Sequence, residues 1–162
     1  IHARLHARLP QARCLMHLHP KFTTALAGLA DSTMYPIDQN TMRFYGKVAT
    51  DEAFGGMALS DDEGDRLAGL LGDKSVLMMG NHGVLTVGRS IAEAFNNTYR
   101  IERSCRAQLM ASATGDDIVI PPADVIARTN HAYKPGTRRP YGVLEWPAMR
   151  RLADRLDPSY RE

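Results

Sequence analysis

The sequence has no run of about 18 apolar residues, the length that a membrane-spanning helix requires, so no membrane partner is expected. It holds only two cysteines, Cys14 and Cys105, too few for a disulfide framework, and a reducing cytoplasm is the expected compartment. Neither charge sign dominates. Twenty Lys and Arg against 18 Asp and Glu leave a net charge of +2, which excludes a strongly basic polyanion-binding surface, and no nucleic acid is expected as a partner. With 13 Gly and 9 Pro in 162 residues, collagen-like and disordered compositions are excluded as well, and no internal repeat or low-complexity tract is evident.

Acidic residues are absent before Asp31, whereas Arg4, Arg8 and Arg13 all fall in the opening segment. A basic, acid-poor start is a feature of transit peptides, but no apolar signal core accompanies it and the stretch runs without a linker into a strand-like segment. Because the chain opens on Ile1 and not Met, Ile1 is read as an internal point of a longer protein.

What is present suits one α/β domain over residues 1–162, since a chain of this length can bury about 70% of its unfolded surface. Ile1, Leu5 and Leu9 lie at helical spacing and Pro10 stops that helix. Arg13 to His19 reads as a strand, and Pro20 opens a helix carrying Phe22, Ala25, Leu26 and Leu29. A turn-rich stretch, Asp31 to Asn40, precedes a short helical piece at Thr41–Tyr45 and a short strand at Lys47–Thr50. Ser60 with Glu63, and Ser90 with Glu93, have the spacing of capping boxes and start two further helices; between them lie two apolar strands, Ser75–Met79 and Gly83–Val87. On the second of these helices Ile91, Ala94, Phe95, Thr98, Ile101, Cys105, Leu109 and Ala113 are expected to form one buried face. A helical C-terminal tail is expected over 122–162, as one helix to about Tyr133, a loop from Lys134 to Tyr141, and a last helix over Leu144–Leu156 with Pro147 in its first turn.

Chemistry concentrates in the histidines. His17 and His19 are two apart on a predicted strand, so both leave the same face, with backbone positions roughly 6.6 Å apart. His82 sits in an Asn81-His82-Gly83 turn, where glycine lets the backbone bend closely around an inward side chain. Three neutral imidazoles make an open divalent-metal site with a position left for water or substrate. A His-x-His pair by itself is more often a polar strand face, and His2, His6 and His131 are read as surface or structural residues. The methionines, Met78 and Met79 among them, are read as core filling.

The run Cys14-Leu15-Met16-His17-Leu18-His19-Pro20, followed by Thr23, Thr24, Ala25 and Leu26, resembles the metal-binding strand and following helix of the class II aldolase/adducin family. The run Asn81-His82-Gly83-Val84-Leu85-Thr86-Val87-Gly88, followed by Ser90, Ala94, Ile101 and Glu102, resembles that family's second signature. The two motifs are specific in combination, and the similarity extends from Ile1 to about Ala113.

The resemblance implies a three-layer α/β/α domain with a central, mostly antiparallel sheet, in which His17, His19 and His82 hold Zn²⁺ or another divalent cation such as Mn²⁺ or Co²⁺. It implies a carbon–carbon lyase, of aldolase or decarboxylase type, that stabilises an enediolate or enolate of a small hydroxylated or carboxylated substrate. A non-catalytic adducin-like interaction module and a sugar-phosphate epimerase are the alternatives. It also implies a homotetramer. The family's proton-transfer residue would fall shortly before Ile1 and its phosphate-binding loops further upstream, so no catalytic base is named and the domain is read as N-terminally incomplete. Asp38, Tyr35, Tyr133 and Tyr141 are candidate auxiliary acids, each with solvation or a turn as its plainer role. Glu102 has two readings: a carboxylate orienting a metal-bound imidazole, or, preferred, an ion pair with Arg106 four residues on. Arg138 and Arg139 could meet an anionic substrate, but adjacent arginines in a Gly/Pro-rich loop are most often solvated.

Overall fold

Two short apolar runs on either side of Gly80-Asn81 become the centre of a four-stranded sheet. The computed structural model describes residues 1–56, 60–134 and 136–161. In chain order its elements are α1 (His2–Arg8), β1 (Cys14–Leu18), α2 (Lys21–Ala27), α3 (Gln39–Met42), β2 (Val48–Asp51), α4 (Asp61–Leu71), β3 (Val76–Met79), β4 (Gly83–Gly88), α5 (Ile91–Ser112), α6 (Ala123–His131) and α7 (Glu145–Leu156), and a single 3₁₀ turn follows at Pro158–Arg161. The strands lie in the order β1-β4-β3-β2. β4 runs antiparallel to both β1 and β3, while β2 is parallel to β3 and reaches it through the crossover helix α4.

Period-two alternation on the central strands decides which residues meet which helix layer. Leu77, Met79 and Leu85 pack with Leu5 of α1 and with Leu67 and Leu71 of α4. Val76, Met78 and Val84 face the other way, onto Leu26 of α2 and onto Ile101 and Cys105 of α5. Every residue of β3 and β4 is buried, which explains their unbroken apolar character. Full burial of each such leucine stabilises the fold by about 1.5–3 kcal/mol. The architecture is the expected α/β/α sandwich with a mostly antiparallel sheet.

The helix starts follow their local chemistry. Ser60 accepts from the Glu63 N–H and Ser90 from the Glu93 N–H, and Asp61, Asp62 and Glu63 place negative charge at the positive end of α4. The buried face of α5 differs from its expected apolar stripe. Ile91 is exposed, whereas Asn96, Asn97, Ser104 and Gln108 are buried. Three of these four are held by hydrogen bonds that the apolar pattern could not anticipate. Gln108 donates to the Thr33 carbonyl and accepts from the Tyr35 N–H, Asn97 donates to the Val87 carbonyl, and Asn96 accepts from Arg43. The turn-rich segment before α3 thus satisfies part of its backbone on α5.

In the tail, Gly142 has φ +80° and passes so near α5 that a Cβ there would lie 2.1 Å from the Ala92 carbonyl oxygen. Position 135 of the loop expected before α7 lies outside the described residues. Among the described residues, no helix is long and apolar enough to cross a membrane.

α1 is fastened to α4 by charge. Arg4 and Arg8 both donate through Nε and Nη2 to the two carboxylate oxygens of Asp65, with Arg8 Nη2 at 2.6 Å from Oδ2. Hydrogen bonds from Arg8 and then Arg4 hold the Asp65 carboxyl well below its usual range. A depressed folded-state value means that the stabilisation is complete above the unfolded carboxyl value of about 3.9 and is lost as pH falls further. Asp65→Asn is therefore expected to flatten the stability curve below about pH 4 relative to the wild type. Denaturant melts across that range, with parallel curves for the two proteins, would contradict it.

Candidate metal centre

The register of β1 on β4 builds the site. Leu18 lies opposite Val84 and His17 opposite Leu85, so the C-terminal end of β1 meets the N-terminal end of β4. His19 follows the first strand and His82 precedes the second, and the pairing closes the gap between two motifs far apart in sequence. His17 Nε2 lies 3.2 Å from His82 Nε2 and 3.2 Å from His19 Nε2. Among the described residues these three are the one group of His, Cys, Asp or Glu whose donor atoms, all within 4.8 Å of one another, could hold a metal ion.

His17 Nδ1 lies 3.1 Å from the Val84 carbonyl. That carbonyl can only accept, so Nδ1 carries the proton and Nε2 turns a lone pair toward its two neighbours. Burial lowers the basicity of His17, opposed by this hydrogen bond and reinforced by the charges of His82 and His19. Burial also lowers that of His82, with His19 adding to it. Both effects favour the neutral, ligating form. Three lone-pair nitrogens gathered this closely are a poor arrangement by themselves and a good one around a cation. Tetrahedral ligands at about 2.0–2.1 Å from Zn²⁺ are separated by about 3.3 Å, close to the two separations of 3.2 Å that His17 makes with its neighbours. The donor set therefore fits a divalent ion. His19 is exposed and His17 and His82 are half-buried, which leaves one side open, and the Phe54 ring lies against His82 with centroids 5.9 Å apart.

The turn that presents His82 explains its neighbours. Asn81 has φ +53°, in the left-handed region that asparagine tolerates better than most residues. A Cβ on Gly83 would lie 2.6 Å from the Leu18 carbonyl oxygen and 2.7 Å from His19 Cδ2. Glycine at this position is what allows β4 to approach the end of β1.

Glu102 fits neither of its sequence readings. Its Oε1 accepts from the Phe22 N–H at 3.0 Å and its Oε2 from the Thr23 N–H at 2.8 Å. The residue before α2 is Pro20, which offers no capping side chain, so a carboxylate from α5 caps α2 in its place. This fixes the chain directly after His19. Arg106 instead lies over the Phe22 ring. Asp38 is likewise spoken for as the N-cap of α3, accepting from the Thr41 N–H at 2.6 Å while Thr41 Oγ1 accepts from the Asp38 N–H. Tyr35 donates to Asp31, and Tyr141 donates to the Tyr133 carbonyl. Among the described residues no carboxylate joins the three histidines. No local signal marks Glu102 as a cap, because its partners are about 80 residues away.

The sequence model of the Class II Aldolase and Adducin N-terminal domain matches residues 1–109. A Pseudomonas aeruginosa protein named as an aldolase class 2 protein is 31% identical over 169 residues, covering 100% of this chain and 63% of that relative. The decarboxylase NovR of Streptomyces niveus is 30% identical over 121 residues, covering 75% of this chain and 44% of that relative. Among solved structures, an aldolase II superfamily protein from Pseudomonas syringae matches with a TM-score of 0.89 at 33% identity, over 99% of this chain and 64% of that one. The chain thus spans less than two thirds of the length of these proteins.

Two substitutions test the construction of the site. Gly83→Ala is expected to push the His19 end of β1 away and to weaken divalent-metal affinity by about 10–100-fold, the usual effect of disturbing what orients a ligand. Competition with a chromogenic chelator reads this, and an unchanged affinity would overturn it. Glu102→Ala is expected to destabilise the fold by about 1–3 kcal/mol through two unsatisfied N–H groups at the start of α2. A chemical melt coincident with that of the wild type would count against the cap.

Proposed function

Because the chain belongs to the class II aldolase and adducin family, we propose that it is a metal-dependent carbon–carbon lyase, of aldolase or decarboxylase type, acting on a small hydroxylated or carboxylated molecule. The observation that carries this reading is the convergence of the Nε2 atoms of His17, His19 and His82. We assign these three as ligands, with Zn²⁺ as the best match to a neutral three-nitrogen set and Mn²⁺ or Co²⁺ as alternatives. When bound, such a cation supplies Lewis-acid stabilisation of negative charge developing on a substrate oxygen as the carbon–carbon bond breaks.

The residues of this chain contribute position and tautomer. The Val84 carbonyl keeps the His17 proton on Nδ1, Gly83 lets His82 and His19 meet, and the Glu102 cap holds α2 behind His19. The exposed side of His19 is where substrate enters. The reading takes residues 1–162 as one domain and the assembly as a homotetramer. It places the protein in the cytoplasm, in keeping with its two free thiols, Cys14 and Cys105. A non-catalytic adducin-like module has no use for a preformed three-imidazole cluster, which is why the lyase is preferred.

Elemental analysis of the purified protein is expected to find about one divalent ion per chain, and His17→Ala or His82→Ala to remove it, since each deletes one of three ligands. Aldehyde or carbon dioxide release from hydroxylated and carboxylated substrates is expected to depend on reloading the metal after chelation. A wild-type chain that is metal-free and cannot be reloaded would sink the lyase reading.

A further inference from the structure

Away from the histidines, the tail packs on the domain around a second cluster of chemistry. Arg43, at the end of α3, is only 5% exposed. Its Nη2 donates to Asn96 and Asn97 at 2.6 and 3.1 Å, its guanidinium carbon lies 3.7 Å from the centre of the Tyr141 ring, and among the described residues it forms no ion pair with a carboxylate, Glu145 acting on it only from further off. Burial lowers its pKa to about 10, so it remains a cation at neutral pH. A charge withdrawn from water and held outside ion-pair distance of any carboxylate is costly, so Arg43 favours an anion at its side.

A cavity of about 100 Å³ lies against Arg43, and Arg100 of α5 and Arg138 and Arg139 of the tail also line it. Arg100 Nε is buried without a hydrogen-bond partner, an unmet donor on a residue that lines the same cavity. Arg138 lies over the ring of Tyr133, 5.2 Å from its centre, as Arg43 lies over Tyr141. Four arginines thus meet one acid, Glu145, around a space the size of a single tetrahedral oxyanion. A neighbouring cavity of about 380 Å³ shares Tyr133, Arg138, Arg139 and Tyr141 and gives room for an attached organic group. None of the three histidines lines either cavity.

We propose that this pocket binds a phosphate group, either inorganic phosphate or the head of a small phosphate monoester, at the junction of the domain with its tail. Arginine is the side chain suited to it, because its fork of donors matches phosphate oxygens and it stacks on aromatic faces without losing that fork. Donors arriving from α3, α5 and the tail loop approach from different directions, as a tetrahedral anion requires and a single planar carboxylate does not. Two of the arginines lie within the residues matched by the family's N-terminal domain, and the other two, with both tyrosines, lie beyond them.

The test is calorimetric titration of the whole chain with inorganic phosphate, glycerol 1-phosphate and glycerol, at fixed ionic strength set with chloride and with chelator present so that the histidines carry no metal. Saturable one-to-one binding is expected for both phosphates and none for glycerol. Tighter binding of the monoester identifies an organic phosphate as the ligand, and equal binding identifies free phosphate. Arg100→Gln, and the exposed pair Arg138→Gln with Arg139→Gln, are expected to weaken binding about tenfold or more, as loss of a charge-assisted hydrogen bond does. Glu145→Gln is expected to tighten it by removing the one lining carboxylate, a gain that misfolding cannot imitate. Absence of saturable phosphate binding, or binding that neither Arg100→Gln nor Glu145→Gln changes, would overturn the proposal.

Discussion

The antiparallel pairing of β1 with β4 is the constraint on which the candidate site depends. It joins segments whose histidines are 65 residues apart, and its register alone decides that the His17 and His82 nitrogens meet. A slip of one residue would turn His17 to the opposite face of the sheet and carry Leu15 out of the core with it. The site geometry is therefore protected by the same burial that stabilises the sheet. Leu15 and Leu85 pack in one cluster on the face that His17 shares with Leu15, so an alternative register would cost core packing before it cost any chemistry.

α5 is the second support, through its polar residues more than its apolar ones. Thr98 and Thr86 share a buried hydrogen bond, Asn97 holds the end of β4, Gln108 holds the segment before α3, and Glu102 caps α2. Each of these links a loop or strand end to a rigid helix of 22 residues. Buried polar groups are worth little net stability when satisfied but cost heavily when left alone, so they act mainly to exclude competing arrangements. A helix that was apolar along its whole buried face would pack as well and specify less.

Much of this was legible in the sequence because it is written locally. The Ser60 and Ser90 caps, the short buried strands and the His-x-His and Asn-His-Gly spacings each rest on a few adjacent residues, and the elements lie where those signals put them. The histidine cluster was legible only through two motifs taken together, since neither spacing reveals that β1 pairs with β4. Glu102 was not legible. Its position four residues before Arg106 suggested a local ion pair, but the uncapped start of a helix after Pro20 was the stronger claim on a carboxylate. Arg43 was missed for a related reason: nothing in its neighbours in sequence separates a solvated arginine from one enclosed by Asn96, Asn97 and a tyrosine of the tail.

The charge balance of the candidate metal centre follows from these commitments. Three neutral imidazoles offset none of the charge of a divalent ion, unlike a thiolate or carboxylate set. Burial holds His17 and His82 neutral, while the carboxylate of Glu102 is spent on backbone N–H groups of α2 and that of Asp38 on the cap of α3. Under the proposed function the full positive charge is thus left for the substrate, where it has most effect on an oxygen that becomes negative as the reaction proceeds. A ligand carboxylate would bind the ion more strongly and stabilise that oxygen less. Among the described residues the fold gives the candidate carboxylates Glu102 and Asp38 other work, so the donor set of the cluster is three imidazoles.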